Sequence, residues 1–542
     1  MKEELFLGLD SSTQSLTALI INFEQKKVIY RKTINFDKAL PQYKTKNGII
    51  TLNSDKEVHS NPLMWVDALE LIFHNIKEEG IDIRTIKAIA GSGQQHGTVY
   101  LNDQFETVLR NLNTSYSLSS QIKDTLTRKT SPIWMDSSTS LQCKEIREKL
   151  GGIQKTIEIT GSNTFERFSG PQIRKFYQTY PEKYEKTSTI HLVSSFLASI
   201  LLGKNAPIDY GDGAGMNLMN IRSKKWDNDA LNATAPNLRE KLPELCDSFK
   251  IIGRISDFFV EKYSFSSETK LVAWSGDNPN SLIGVGLTKK GRAAISLGTS
   301  DTFFSYLKNL SVDLKGEGHV FGAPTGDYMS LICYKNGSLA REEIKNKYGL
   351  DWDQFSQILK KTPPGNKGNI MLPYFLPEIV PLVLEPKIYR FGFDSNDIEA
   401  NIRAIIEAQF LSMKLHSKWI DEKPTKIYAT GGASANREIL QVAADVFQTK
   451  IQKFQVTDSA ALGAALRAVK SYFDYKERNL RWSGLATEFL NIQDSEIIYP
   501  RREYKNLYED MVELYQKFED YVVKGKKKPV KEHQTFIKRY FE

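Results

Sequence analysis

The sequence predicts an α/β protein of two related domains around a cleft, and three observations point there. Apolar strand-like runs alternate with helical patterns, which implies a sheet covered by helices. At 542 residues the chain exceeds what one hydrophobic core usually supports. A strand leading into a turn dense in Gly, Ser and Thr occurs once in each half, as GLDSSTQSL (8–16) and SLGTSDTF (296–303). Such turns offer N–H and hydroxyl groups to phosphate oxygens, so the pair suggests a nucleotide held between the halves.

The first elements are strands. LFLGLD (5–10), SLTALIINF (15–23) and KKVIYRKTINF (26–36) are rich in β-branched and aromatic residues and predict an antiparallel meander. A helix follows, with Asn61 as cap, Pro62 in its first position, and Trp65, Ala68, Leu69, Ile72, Phe73 and Ile76 at helical spacing. IKAIAGSG (86–93) reads as a buried strand ending in a glycine loop. The region from about 140 to 260 reads as mostly helical, with a polar loop at APIDYGDGAG (206–215). The second half opens with LVAWSGDN, from 271, and RAAISLGTSDTFF (292–304). KIYATGG (426–432) predicts a strand running into glycines, REILQVAADVF (437–447) a helix, and 502–523 the last long helix.

Composition removes several classes of function. At 40% hydrophobic and 25% charged residues the chain is globular rather than disordered. The longest apolar run, Ile190 to Leu202, is interrupted by Ser194, Ser195 and Ser199 and falls short of the ~20 residues of a membrane span. Acidic Glu3 and Glu4 open onto a strand rather than a signal peptide, so the expected location is cytoplasmic, with no membrane partner. Cys143, Cys246 and Cys333 are far apart and no Cys/His spacing suits zinc. Of the net charge of +8, five units fall in residues 524–542, which hold seven basic residues against two acidic. The body is nearly balanced, so no nucleic-acid partner is expected, and the tail reads as a solvated chain end.

Four constellations can carry chemistry. Asp10 ends a strand before Ser11, Ser12 and Thr13, where a carboxylate can hold Mg²⁺ through water or simply bond its own turn. The second turn, at Gly298, Thr299 and Ser300, favours the phosphate reading. GSGQQHG (91–97) places Gln94, Gln95 and His96 after a buried strand, a set suited to a polyhydroxylated ligand or to a satisfied core histidine. SGDNPNSLIGVG (275–286) puts Asp277 and Asn278 at a strand end, as a proton acceptor for a substrate hydroxyl or as a helix cap. TGGASANREIL (430–440) joins Gly431 and Gly432 to a helix capped by Ser434 or Asn436, where backbone can approach a ring or a phosphate.

In order along the chain, GLDSSTQS, GSGQQHG, IWMDSS, SGDNP, SLGTSD and ATGGASANREILQVAADVF resemble the FGGY carbohydrate kinases over roughly residues 5 to 520. ITGSNTFERFSGPQIRKF (159–176), LVSSFLASILLG (192–203) and APIDYGDGAGMNLMNI (206–221) are similar to the eukaryotic xylulose-kinase branch of that family. The resemblance implies two ribonuclease-H-like domains of the actin and sugar-kinase superfamily. Their expected extents are 1–275, sugar-binding, and 276–523, ATP-binding, followed by a basic tail at 524–542. It implies ATP-dependent phosphorylation of D-xylulose to D-xylulose 5-phosphate by a monomer or homodimer, with Mg²⁺ near Asp10. Asp277 is the expected general base, and His96, Arg167, Asp277, Asn278 and neighbouring Gln95 the expected sugar ligands. Ser12, Thr13, Gly298, Thr299 and Ser300 match phosphate turns, and Gly431, Gly432 and Asn436 the adenosine loop. Many members carry Arg two places after the Asp of W-x-D; here Ser138 follows Trp134-Met-Asp136, so Asp136 is not carried over as a sugar ligand. The rival readings are a kinase for ribulose, glycerol or gluconate, and a non-catalytic nucleotide-binding protein of the same superfamily.

Overall fold

The computed structural model describes residues 4–454, 458–490 and 496–542, so Glu3 lies outside the described residues. The first sheet opens with the expected meander: β1 (Leu5–Ser11), β2 (Ser15–Asn22) and β3 (Lys27–Asn35), paired antiparallel. Helix α1 (Pro62–Glu78) is capped by Asn61, whose side chain accepts the Leu63 N–H, and all six residues at the expected apolar spacing are buried. β4 (Ile86–Gly93) then lies parallel to β1. β5 (Ile251–Arg254), β6 (Lys270–Val272) and β7 (Ser275–Gly276) complete the sheet, in the order β5-β6-β4-β1-β2-β3 with β7 also on β4. Helix α2 (Asp277–Gly284) starts directly from β7.

The second sheet repeats this plan. β8 (Arg292–Leu297), β9 (Asp301–Leu307), β10 (His319–Gly322) and β11 (Tyr328–Tyr334) form its antiparallel side. Helix α3 (Ile398–His416) leads to β12 (Lys426–Thr430), helix α4 (Arg437–Phe447) and β13 (Lys450–Lys453). The order is β10-β11-β9-β8-β12-β13 with a short final strand. In both sheets a hairpin runs outward from a first strand whose other neighbour is parallel to it, the two-domain ribonuclease-H-like arrangement; in the second sheet β11 rather than β10 pairs with β9, and β10 lies at the edge. Helix α5 (Ser459–Tyr475) packs on α2 and across β1 and β4, so the second half of the chain returns to cover the first sheet. Among the described residues no helix is long and apolar enough to cross a membrane.

Three expectations need correction. The segment 206–215 is not a loop: it holds a short strand, Ile208–Asp209, and a buried helix, Tyr210–Ala214. Its aspartates look solvent-seeking in sequence, but Asp209 is spent inside as the cap that accepts the Asp212 N–H at 2.9 Å. The last long helix, α6, spans Lys505–Lys524 and begins after a separate turn at Arg502–Tyr504. Nor is the basic tail a free end. It forms helix α7 (Val530–Tyr540), which buries Phe536, while His533 Nε2 donates to the Gly368 carbonyl at 2.7 Å. Asp520 of α6 pairs with Lys524 and Lys526, and Asp510 with Arg539. Much of the tail's charge is therefore matched by carboxylates that precede it in the sequence.

Candidate active site

Strand register builds the first half of the site. Asp10 lies opposite Ser92 and Ser11 opposite Gly93, while Ser92 and Gly93 also pair with Ser275 and Gly276. The carboxyl ends of three neighbouring parallel strands thus deliver Asp10, Gln94–Gln95 and Asp277 to one edge, the usual ligand edge of such sheets. Gly276 is required by this convergence: a Cβ there would lie 2.3 Å from the Gln95 Cγ and 2.5 Å from the Asp212 Oδ1.

Asp10 is buried and accepts the Ser12 hydroxyl on Oδ2 at 2.5 Å, while its Oδ1 has no hydrogen-bond partner. Burial raises its pKa, against the hydroxyls of Ser12 and Ser92. The Asp277 carboxyl accepts the Asn278 N–H at 2.9 Å and the Asn278 Nδ2 at 3.2 Å. Asn278 Nδ2 also donates to Gln95 Oε1 at 2.8 Å, so these three side chains form one chain of contacts. Burial first, and then the charge of Asp10, push Asp277 up to about 7. A carboxyl so tuned is poised to accept a proton at neutral pH.

His96 sits at φ 74°, a backbone region that side-chain-bearing residues seldom adopt. Its Nδ1 donates to the Gly215 carbonyl at 2.9 Å, which leaves the Nε2 lone pair free to accept from a hydroxyl. The ring lies against Phe168 at 4.5 Å, and burial together with Arg167 lowers its pKa to about 3, so it stays neutral. Arg167 does not pair with adjacent Glu166. Its guanidinium lies over Phe165 and Phe168 and donates to His319 Nε2 at 3.1 Å, a contact that reaches into the second sheet.

Ser12 and Thr13 stand beside this group. Trp134 Nε1 donates to the Thr13 hydroxyl at 2.8 Å, while the Ser12 hydroxyl is occupied by Asp10. Asp136 is fully engaged in structure: Ser138 N, Gln172 Nε2 and Val58 N all donate to it.

The second half of the site lies on the other sheet. Gly298, Thr299 and Ser300 form the β8–β9 turn, with Thr299 and Ser300 exposed. The adjoining Asp301 and Arg341 are a fully buried bidentate pair at 2.7 and 3.0 Å. Gly431, at φ 87°, lets the next loop press against β8, since a Cβ would lie 2.5 Å from the Leu297 carbonyl oxygen. Gly431 and Gly432 are exposed beside that turn. Of the two candidate caps, Asn436 is the one used: its Oδ1 accepts from Glu438 N and Ile439 N, and its Nδ2 donates to Ser356.

Sequence reasoning missed several contributors. Asp212 is buried, accepts the Ser194 hydroxyl, and is raised in pKa by burial, Asp209 and Asp277. Ser194, which breaks the apolar run of 190–202, is its signal, readable in sequence only as an interruption. Arg467 of α5, fully buried, donates to Asn280 Oδ1 at 2.8 Å and to the carbonyls of Ser248 and Ala273, so it pins α5 behind α2. His319, Arg341 and Arg467 stand far from their partners in sequence, and no local pattern marks them.

Residues 123–284 match the N-terminal domain model of the FGGY family of carbohydrate kinases, and 293–472 its C-terminal domain model. The chain is 43% identical over 499 residues to xylulose kinase 2 of Arabidopsis thaliana, covering 88% of each chain. It is 41% identical over 473 residues to a xylulose kinase of Rattus norvegicus, covering 85% of this chain and 87% of that one. In fold it is similar to a ligand-bound xylulose kinase of Lactobacillus acidophilus, with TM-score 0.80 at 19% identity over 96% of this chain and 98% of that one. With family models matched in both halves and relatives of this identity over most of its length, the chain belongs to the FGGY family of carbohydrate kinases.

Proposed function

We propose that this carbohydrate kinase transfers the γ-phosphoryl group of ATP to the C5 hydroxyl of D-xylulose, with Asp277 as general base. The observation that carries the reading is the Asp277 carboxyl, brought near neutrality beside Asp10 and tied through Asn278 to Gln95. The names of the relatives support the choice of sugar. His96 Nε2, Arg167, Asn278 and Gln95 are the proposed sugar contacts. As Asp277 takes the hydroxyl proton, the sugar oxygen bonds to the γ-phosphorus and the bond to the β,γ-bridging oxygen breaks, releasing ADP.

The turn at 298–300 and the exposed glycines 431 and 432 are the proposed phosphate and adenosine contacts, offering N–H groups and close backbone approach. Ser12 and Thr13 would complete the phosphate cradle from the first domain, which the reading extends to about residue 275. The unpartnered Asp10 Oδ1 fits a role in holding Mg²⁺ through water. Among the described residues no cluster of three ligating side chains surrounds it, consistent with an ion held mostly by phosphates and water. When bound, Mg²⁺ would neutralise charge on the phosphates.

The test is a panel of D-xylulose, D-ribulose, glycerol and gluconate, with and without Mg²⁺, reading ADP by a coupled assay. D-xylulose is expected to give the highest kcat/KM, and only with the metal. Equal or faster turnover of ribulose would overturn the choice of sugar.

A further inference from the structure

A groove of about 610 Å³ opens at the opposite end of β8 from the Gly298–Ser300 turn. It is bounded by the start of β8 at Arg292, the segment after α3, the end of α4 and the first turns of α6. Six strand residues separate the two ends, about 17 Å. Its size is that of a small-molecule site, and none of the residues of the proposed active site lines it.

Its chemistry is unbalanced in a particular way. Arg292, Lys414, Lys418 and Lys423 line it, and among the described residues none of them makes an ion pair. The Lys414 ammonium donates to the Val446 carbonyl at 2.6 Å. Burial lowers its pKa to about 8, with Lys418 and Lys423 adding to the effect against Glu509. Glu509 and Glu513 sit exposed at the rim, the former 4.0 Å from Lys505. The five basic groups Arg292, Lys414, Lys418, Lys423 and Lys505 outnumber the three carboxylates Glu422, Glu509 and Glu513 along this groove, and an entering anion relieves the remaining repulsion.

Glu422, on the same wall, has the complementary deficit. Both of its carboxylate oxygens are buried; exposed Lys290 lies 3.3 Å from Oε1, the charge of Lys308 adds to that of Lys290, and Oε2 has no hydrogen-bond donor. A ligand hydroxyl supplies the missing donor. The floor is apolar, made by Phe303, Phe447, Ile420 and Val512.

We propose that this groove binds a phosphorylated, hydroxyl-bearing small molecule of the sugar-phosphate class, its phosphate against Lys414 and its hydroxyls on Glu422. The experiment is calorimetric titration of the full chain with D-glucose 6-phosphate, inorganic phosphate and D-glucose. Saturable binding of glucose 6-phosphate is expected, about tenfold or more tighter than inorganic phosphate, with no detectable heat from glucose. Lys414→Met should weaken both anions by about tenfold. Glu422→Gln should weaken glucose 6-phosphate and leave phosphate unchanged, and Asp277→Ala should leave both unchanged. If Lys414→Met does not fold, Lys423→Met carries the same test at the rim. Absence of binding, indifference to the lysine variants, or loss of binding in Asp277→Ala would each overturn the proposal; indifference to Glu422→Gln would remove the hydroxyl half of it.

Discussion

Asp277 occupies a place where its charge is held at a disadvantage, since burial and the neighbouring Asp10 both favour the protonated form. The carboxyl therefore binds its proton more tightly folded than unfolded. That stabilises the fold at low pH and is lost as pH rises through about 7. Asp277→Asn should raise the thermal midpoint at pH 8 more than at pH 5, read by scanning calorimetry, while Asp277→Ala lowers kcat by ~10³ or more. In the unaltered enzyme kcat/KM should climb with pH along a limb centred near 7. Unchanged turnover in Asp277→Ala would remove it from the base role. At this scale the sequence exposed the residues at strand ends, because glycine and polar types cluster there. It could not expose Asp212 or His319, whose importance comes from the neighbours that folding supplies.

Among elements, the 298–300 turn and the α2–α5 crossing are both fixed by packing. The turn at 298–300 leads straight into Asp301, held by Arg341, whose Nη1 also donates to Gln409. Removing one partner of a buried pair costs about 3–5 kcal/mol, because the other charge is left uncompensated. Arg341→Met should raise KM for ATP more than KM for the sugar, and adding Asp301→Asn should recover part of the loss. Equal shifts in both KM values would reduce the pair to a general support. At the helix crossing, a Cβ on Gly463 would lie 1.9 Å from the Asn280 carbonyl oxygen, so the backbones touch. Gly463→Val is expected to destabilise the protein by more than about 2 kcal/mol or leave it insoluble. Gly432→Ala, which meets nothing within 4 Å, should fold normally. Both glycines look alike in sequence; only the packing tells them apart.

At the scale of the whole molecule, two large sheets, each built on a hairpin beside a parallel strand, are joined by helices that cross between them. The basic tail belongs to this body. Phe536 is buried, and Ile537 lies over Gly368, where a Cβ would be 2.6 Å from its side chain. Deleting residues 526–542 should lower the first thermal transition, by an amount equivalent to about 2 kcal/mol or more for the Phe536 side chain alone. Activity at room temperature should largely persist, since the tail touches no residue of the proposed site. A midpoint unchanged by the deletion would mean that the helix contributes nothing in solution.

The sequence by itself determined the strand–turn–strand units, the capped helices and the residues at the strand ends, because these follow from local propensity and periodicity. The tertiary structure alone decided which of those ends converge, that α5 closes the first sheet, and that the tail's charge meets carboxylates on α6. Each of these depends on surfaces brought together from distant parts of the chain. Charge counted along a sequence says nothing of its counter-ion, and burial, which sets the proton affinity of Asp277, exists only once the chain has folded.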